Sequence, residues 1–290
     1  MAERIVAVIG AGTMGQGIAQ QAAACGCAVR LVDVTTEGAE RGRSLITAQL
    51  DKLVAKGKLT EKERTGISER IVTSASIGGA ALGADVVLEA VFENIDLKIN
   101  VLREAAEAAP KNVMLATNTS SLSITEIGSR VGRPDRVVGI HFFNPVPVMD
   151  LIEVVRGVAT NKVVIVRAVG LATQLKKTAI VVRDVPGFAT SRLGVILGCE
   201  AIRMLEQGVA GVDEIDRAME LGYKHPMGPL KLTDLVGLDV RLAILDHLHR
   251  ELGEQFRPPP LFRSMVRAGK LGKKSGEGFY TWEEGVPRAR

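Results

Sequence analysis

Hydrophobic residues follow one pattern in the first part of the chain and a different pattern towards its end. In the first part, short apolar runs rich in β-branched residues alternate with stretches of helical periodicity. The runs that predict strands are the one just before Gly10 and residues 28–33, 70–74, 84–90, 113–118, 136–141, 151–155 and 179–184. Most of them are continuously apolar, which favours strands buried on both faces and covered by helices. This part therefore predicts an α/β fold with a doubly wound, Rossmann-type parallel sheet.

The connection between the second and third predicted strands is long and helical. Apolar residues between positions 46 and 54 share one stripe of a helix. Thr60 followed by Glu63 has the pattern of a capping box, which begins a second helix. We therefore expect a helical hairpin inserted into the sheet domain, with Lys52 and Lys56 one turn apart on its polar side.

Beyond residue 184 the strand pattern stops, and a Pro-Gly turn leads into a region of helical periodicity alone. We expect a domain boundary at this point. The predicted architecture is a sheet domain over residues 1–185 and an all-α domain over residues 186–290.

Composition narrows the class of protein. With 46% hydrophobic and 24% charged residues over 290 positions, the chain is typical of soluble globular proteins. Its net charge of +4 is spread along the sequence, so nucleic acid is not expected as a partner. Cys25, Cys27 and Cys199 have no metal-binding spacing, and so few cysteines favour a reducing, cytoplasmic location. Neither a signal peptide, a membrane span nor a metal site is expected.

A glycine-rich turn joins the first strand to the first helix. Gly10, Gly12 and Gly15 have the GxGxxG spacing, and Asp33 ends the next strand. This is the context of a dinucleotide-binding turn, in which the helix N-terminus stabilises a pyrophosphate. An acidic residue at position 33 accepts hydrogen bonds from a ribose diol and repels a 2′-phosphate, which favours NAD over NADP. The alternative is a structural turn without a ligand.

Polar residues 118–121 follow a predicted parallel strand. Ligands of such sheets bind beyond the carboxyl ends of the strands, so these side chains are candidates for a binding site. The same segment is also compatible with a helix start, with Ser121 or Ser123 as the N-cap. The sequence alone leaves both possibilities open.

His141 is one of four histidines and lies in an apolar segment. A histidine in such a place is commonly a core residue. Glu153 favours a functional role for His141, because a carboxylate within an apolar run is costly to bury without a partner. Two prolines between these residues require a turn, and strands that fold back would place Glu153 beside His141. A carboxylate on one ring nitrogen would orient the imidazole and support its charged form.

Seven motifs, in order, resemble the short-chain L-3-hydroxyacyl-CoA dehydrogenase family: GAGTMGQGIA, EAVFENIDLK, ATNTSSLSIT, GIHFFNPVPVMDLIEVV, VPGF, HPMGPL and GKKSGEGFY. The resemblance covers essentially the whole chain. It implies an oxidoreductase that interconverts (3S)-3-hydroxyacyl-CoA and 3-oxoacyl-CoA with NAD as the cofactor. The substrate pair expected is 3-hydroxybutyryl-CoA and acetoacetyl-CoA. It also implies a homodimer formed through the C-terminal, substrate-binding helical domain.

The resemblance further implies roles for individual residues. His141 is the expected general base, Glu153 orients it, and Ser120 bonds the reacting oxygen of the substrate. Lys56 corresponds to a lysine that meets the CoA phosphate. Residues expected at NAD are Gly10, Gly12, Thr13, Met14, Gly15, Asp33, Glu93, Lys98, Ser120, Asn144 and Lys274.

The residue at position 191 differs from many members of this family, which have an active-site asparagine where this chain has Ser191. Serine is shorter and offers one hydroxyl in place of an amide. This substitution bears on the rate and the acyl-chain preference more than on the reaction class. Two alternatives remain: a non-catalytic NAD-binding structural or sensor protein, and a dehydrogenase of another β-hydroxy acid.

Overall fold

The computed structural model describes residues 4–288, and the chain divides into two compact units, Met1–Val185 and Pro186–Arg290. The division follows the change in hydrophobic pattern, because the first unit contains the large sheet and the second is mainly helical. Each unit has its own cluster of buried hydrophobic residues.

An eight-stranded sheet forms the centre of the first unit. Its strands are β1 (Ile5–Ile9), β2 (Ala28–Val32), β3 (Ile71–Ser74), β4 (Val86–Glu89), β5 (Met114–Thr117), β6 (Val137–Phe142), β7 (Leu151–Arg156) and β8 (Thr178–Arg183). They lie in the order β3-β2-β1-β4-β5-β6-β7-β8, and only the β6–β7 pair is antiparallel. Every residue of β4, β5 and β6 is buried, as their continuous apolar runs predict. The predicted doubly wound fold is confirmed.

Seven helices complete the described part of the first unit. They are α1 (Thr13–Ala24), α2 (Thr36–Ala55), α3 (Glu61–Glu69), α4 (Ile77–Ala81), α5 (Ile95–Ala108), α6 (Ile124–Val131) and α7 (Lys162–Gln174). Helices α2 and α3 form the predicted hairpin. The capping box at its second helix is complete, since Thr60 accepts from the Glu63 N–H and Glu63 accepts from Thr60.

The second unit contains helices α8 (Thr190–Glu206), α9 (Val212–Arg217), α10 (Pro229–Val236), α11 (Leu238–Leu252) and α12 (Pro260–Arg267). Short π- and 3₁₀-helical segments join some of them. One addition to the predicted all-α pattern is a hairpin of β9 (Thr281–Glu283) and β10 (Val286–Arg288). Each strand has three residues, which is too short for an alternating pattern to be recognised. Within residues 4–288, no helix has the length and hydropathy required to cross a membrane.

Candidate active site

The glycine-rich turn Gly10–Gly15 adopts a conformation that two of its glycines make possible. Gly10 has a φ of +106°, and a Cβ there would come within 2.7 Å of the Ala90 carbonyl oxygen. A Cβ on Gly15 would collide with the carbonyl oxygen of Gly10. These two glycines are therefore required by the packing of strand, turn and helix.

Gly12 is different, because no feature of the protein itself demands glycine there. Its φ is an ordinary −72°, and a Cβ would meet no protein atom within 4 Å. No side chain caps the N-terminus of α1. Thr13 and Met14, the first residues of α1, leave N–H groups without helical acceptors. Space above a helix N-terminus with donor groups suits a pyrophosphate, so these residues fit a dinucleotide.

Asp33 lies directly after β2, beside the glycine-rich turn. One of its carboxylate oxygens accepts from the Ala11 N–H at 2.8 Å, and the other accepts from the Val34 N–H at 2.8 Å. These bonds fix the carboxylate at the carboxyl edge of the sheet. Each oxygen retains a lone pair for a ribose hydroxyl.

Glu93 ties the loop after β4 to the polar turn after β5. One of its oxygens accepts from the Thr119 hydroxyl, from the Ser120 N–H at 3.2 Å and from the Ser121 hydroxyl at 3.2 Å. Ser123, not Ser121, is the N-cap of α6. The helix-start interpretation is thus confirmed for Ser123. Ser120 lies at the carboxyl edge of the sheet, and its part in binding stays a prediction.

A buried ion pair lies beneath Glu93. Lys98 places its ammonium 2.8 Å from Glu89 and 3.2 Å from Glu93, although only 1% of the lysine side chain is exposed. Glu89 also accepts from the Thr117 hydroxyl at 2.6 Å. Burial raises the pKa of Glu89, while the adjacent Lys98 opposes this shift. Lys98 therefore holds Glu93 in position, and its direct contact with NAD stays a prediction.

Glu89 is not among the site residues expected from the sequence. Its position within an apolar run nevertheless indicates a buried carboxylate that requires a partner. It is the one charged residue in the apolar run VVLEAV, as Glu153 is in LIEVV. The argument that a carboxylate buried in a strand requires a partner applies equally to both residues.

His141 and Glu153 are directly opposite each other on the antiparallel strands β6 and β7. The imidazole Nδ1 lies 2.8 Å from a carboxylate oxygen of Glu153, which is fully buried. The Phe143 ring lies against the imidazole, with centroids 4.5 Å apart. Because the carboxylate only accepts, we assign the hydrogen of the neutral ring to Nδ1 and its basic lone pair to Nε2. The predicted adjacency of these two residues is confirmed.

The remaining expected residues of the first unit are less enclosed. Asn144 is exposed in the turn after β6, and Lys56 is exposed at the C-cap of α2. Asn118 accepts a 2.8 Å bond from the Phe142 N–H and so fixes the end of β6 beside His141.

Ser191 and Lys274 belong to the second unit. Ser191 is in the first turn of α8, and the Lys274 ammonium lies 2.6 Å from the Asp239 carboxylate. Burial raises the pKa of Asp239, but the bond from Lys274 opposes it, and the net shift is downward. The roles of Ser191 in catalysis and of Lys274 at NAD stay predictions. Among residues 4–288, no group of three or more His, Cys, Asp or Glu side chains is arranged to hold a metal ion.

Two family models match the chain: "3-hydroxyacyl-CoA dehydrogenase, NAD binding domain" over residues 5–185 and "3-hydroxyacyl-CoA dehydrogenase, C-terminal domain" over residues 187–282. A probable 3-hydroxybutyryl-CoA dehydrogenase of Bacillus subtilis is 47% identical, covering 96% of this chain and 97% of the relative. The 3-hydroxybutyryl-CoA dehydrogenase of Clostridioides difficile is 42% identical over 96% of this chain and 99% of its own length. The crystal structure of (S)-3-hydroxybutyryl-CoA dehydrogenase from Ralstonia eutropha matches with a TM-score of 0.94 and 41% identity, covering 98% of this chain and 100% of that one.

Proposed function

This chain belongs to the 3-hydroxyacyl-CoA dehydrogenase family, and from this we propose that it interconverts (3S)-3-hydroxybutyryl-CoA and acetoacetyl-CoA with NAD. The observation that carries the proposal is the buried His141–Glu153 pair, at the same carboxyl edge of the sheet as Gly12 and Asp33. An acid–base pair at the edge where a dinucleotide binds is the arrangement that a hydride-transfer enzyme requires.

In the oxidation direction, Nε2 of His141 takes the proton of the 3-hydroxyl group as C3 loses a hydride. When bound, NAD supplies the nicotinamide C4 that accepts this hydride. Glu153 stabilises the imidazolium that results and holds the ring in the required tautomer. The Ser120 hydroxyl donates to the reacting oxygen, and Glu93 holds the turn that carries it. In the reduction direction the imidazolium returns the proton, so the step balances both ways.

The remaining assignments follow the same proposal. Residues 1–185 form the NAD-binding domain, and residues 186–290 serve substrate binding and dimerisation. The glycine-rich turn Gly10–Gly15 binds the pyrophosphate, while Asp33 binds the adenosine ribose. Ser191 contributes a hydroxyl at the substrate in place of the family's asparagine amide.

Neither alternative accounts for the site as well. A protein that only binds NAD has no need of an acid–base pair such as His141–Glu153. A dehydrogenase of a small free acid is disfavoured, because the family models that match both units are those of 3-hydroxyacyl-CoA dehydrogenases.

The experiment that tests the proposed function follows absorbance at 340 nm with acetoacetyl-CoA and either NADH or NADPH. Free acetoacetate is the control, because it has the same reacting ketone without CoA. We expect oxidation of NADH with the thioester, and much slower reaction with NADPH or with the free acid. Binding of NADH without turnover of acetoacetyl-CoA would overturn the proposal.

A homodimer formed through the C-terminal helices is a further part of the proposal. Helices α8, α10 and α11 pack on one another and carry apolar side chains that are 37–69% exposed: Leu193, Leu232, Leu235, Val236 and Val240. Light scattering should give twice the 30.9 kDa mass of one chain.

We also propose a cytoplasmic location, which the three free cysteines favour.

Asp33 should determine the choice of cofactor. We expect Asp33→Ala to raise the KM for NADH by about 10–100-fold, because a charged hydrogen-bond partner of the ribose is lost. The variant should also narrow the preference for NADH over NADPH, since the carboxylate no longer repels a 2′-phosphate. Steady-state kinetics with both cofactors measures the change. An unaltered ratio of the two kcat/KM values would show that Asp33 does not select the cofactor.

Lys56 should contribute only to binding of the CoA part of the substrate. We expect Lys56→Met to raise the KM for acetoacetyl-CoA about 2–5-fold at low salt, as one exposed phosphate contact is lost. The kcat should stay the same, because the expected contact of Lys56 is with the CoA phosphate and not with the reacting atoms. Lys162→Met, at the exposed start of α7, is the matched control. Equal effects of the two substitutions on the KM for acetoacetyl-CoA would show that Lys56 does not bind CoA.

A further inference from the structure

Phe143, the first residue after β6, packs on the imidazole of His141. Alternate side chains of an extended chain point to the same side, so Phe143 lies on the side of His141 and Phe142 lies on the other. Phe142 is only 3% exposed and belongs to the hydrophobic core of the first unit. Phe143 is partly exposed at the carboxyl edge of the sheet. Phe143 is therefore a residue of the candidate active site, while Phe142 is a residue of the core.

The imidazole and the Phe143 ring are close enough to define which part of Phe143 the imidazole meets. Their centroids are 4.5 Å apart and their planes are inclined at 48°. Aromatic rings that meet edge to face are nearly perpendicular, and rings that lie side by side in one plane have more distant centroids. Neither arrangement fits, so part of the imidazole overlaps the face of the Phe143 ring. This face carries the negative part of the aromatic quadrupole.

His141 is the residue on which the proposed reaction places a positive charge. Only 8% of His141 is exposed, so water contributes little to the stability of an imidazolium there. Glu153 compensates the charge at Nδ1, at a distance of 2.8 Å, but an imidazolium shares its charge between both ring nitrogens. A cation over an aromatic face gains more free energy when it is shielded from water than at an exposed site.

We propose that Phe143 is a positioning residue that stabilises the imidazolium form of His141 through a cation–π interaction. The inference rests on the proposed function. In the oxidation direction, the 3-hydroxyl proton moves to Nε2 of His141 as the hydride leaves C3 for NAD, and the positive charge develops beside the face of Phe143. Phe143 therefore stabilises the transition state more than the ground state, in which the imidazole is neutral. An aliphatic side chain would fill the same space without this effect, because it has no quadrupole.

The test replaces Phe143 by phenylalanines that carry one, two or three fluorine atoms on the ring, incorporated by amber suppression. Fluorine withdraws electrons from the ring face with little change in shape, so packing is preserved. Stopped-flow absorbance at 340 nm measures the single-turnover rate of the complete enzyme with (3S)-3-hydroxybutyryl-CoA and NAD. We expect the rate to fall with each fluorine, by about 3–30-fold for three, which is the range of a cation–π interaction. The affinity for NADH, measured by fluorescence titration, should not change.

Phe142 provides the matched control, because it is the neighbouring residue and has the same side chain on the opposite side of the strand. The same fluorinated residues at position 142 should leave the single-turnover rate at the wild-type value. Phe143→Leu, which removes the quadrupole altogether, should lower the rate at least as much as three fluorines. A role of Phe143 in packing alone predicts that the fluorinated series at position 143 is flat.

A flat or rising series at position 143 in an active enzyme would overturn the inference and leave the proposed function intact. An equal fall in the series at positions 142 and 143 would also overturn it, because the effect would then not depend on contact with His141. Absence of NADH formation by the wild type with (3S)-3-hydroxybutyryl-CoA would refute the proposed function, and the inference with it.

Discussion

Replacement of His141 by glutamine should lower kcat by about 10²–10⁴-fold, the usual contribution of a general acid–base group. Glutamine has a similar length and keeps a hydrogen-bond donor for Glu153, but it cannot take or return a proton at the position of Nε2. The affinity for NADH should not change, because the glycine-rich turn and Asp33, which fit the dinucleotide, follow β1 and β2 and make no contact with His141. Stopped-flow or steady-state turnover, with NADH binding measured separately by fluorescence, distinguishes the two effects.

The chain provides a matched control for this substitution. His249 also lies beside a glutamate, at 3.1 Å from Glu254, but on the surface of the second unit. His249→Gln removes a histidine–glutamate pair that is exposed and joined through Nε2, and it should leave kcat unchanged. A turnover number for His141→Gln within about threefold of the wild type would exclude His141 as the acid–base group.

Lys98→Met should produce the largest loss of stability. Only 1% of the Lys98 side chain and 0% of the Glu89 side chain are exposed, so the substitution leaves a buried carboxylate without its cation. Breaking such a pair costs about 3–5 kcal/mol in the free energy of unfolding. Urea denaturation followed by circular dichroism measures the loss. Arg130→Met, which breaks the exposed pairs with Asp96 and Glu126, should cost less than about 1 kcal/mol.

The stability of Lys98→Met should depend on pH in a defined direction. Burial already raises the pKa of Glu89, and loss of Lys98 raises it further. The folded state then holds a proton on Glu89 more tightly than the unfolded state, so this group's contribution to stability is fully present below the ordinary pKa of a glutamate. It falls as pH rises through the raised pKa of Glu89. Adding Glu89→Gln should restore most of the loss at neutral pH, and failure of this double variant to regain stability would show that the charge is not the cause.

The sequence predicted features that are encoded locally. The GxGxxG turn, the buried strands and the α2–α3 hairpin each arise from residues close together in the chain, and all are present. The His141–Glu153 pair was also predictable, because twelve positions and two prolines leave little freedom to the connection.

Other features depend on distant residues or very short elements. Arg241 sits on an amphipathic helix, where an arginine normally faces solvent, and its burial depends on two glycines of α8. The β9–β10 hairpin is held near its base by Asp234, which accepts from the Phe279 and Tyr280 N–H groups at 2.9 Å. Neither long-range contact leaves a periodic signal in the sequence.

The most direct test of hydride transfer at this site uses NADH carrying deuterium at C4, on the face that is transferred, with acetoacetyl-CoA. Mass spectrometry of the product measures where the deuterium goes. We expect 3-hydroxybutyryl-CoA with one deuterium at C3 and the thioester intact, formed by the wild type and nearly absent with His141→Gln. Oxidation of NADH without deuterium at C3 would contradict the account.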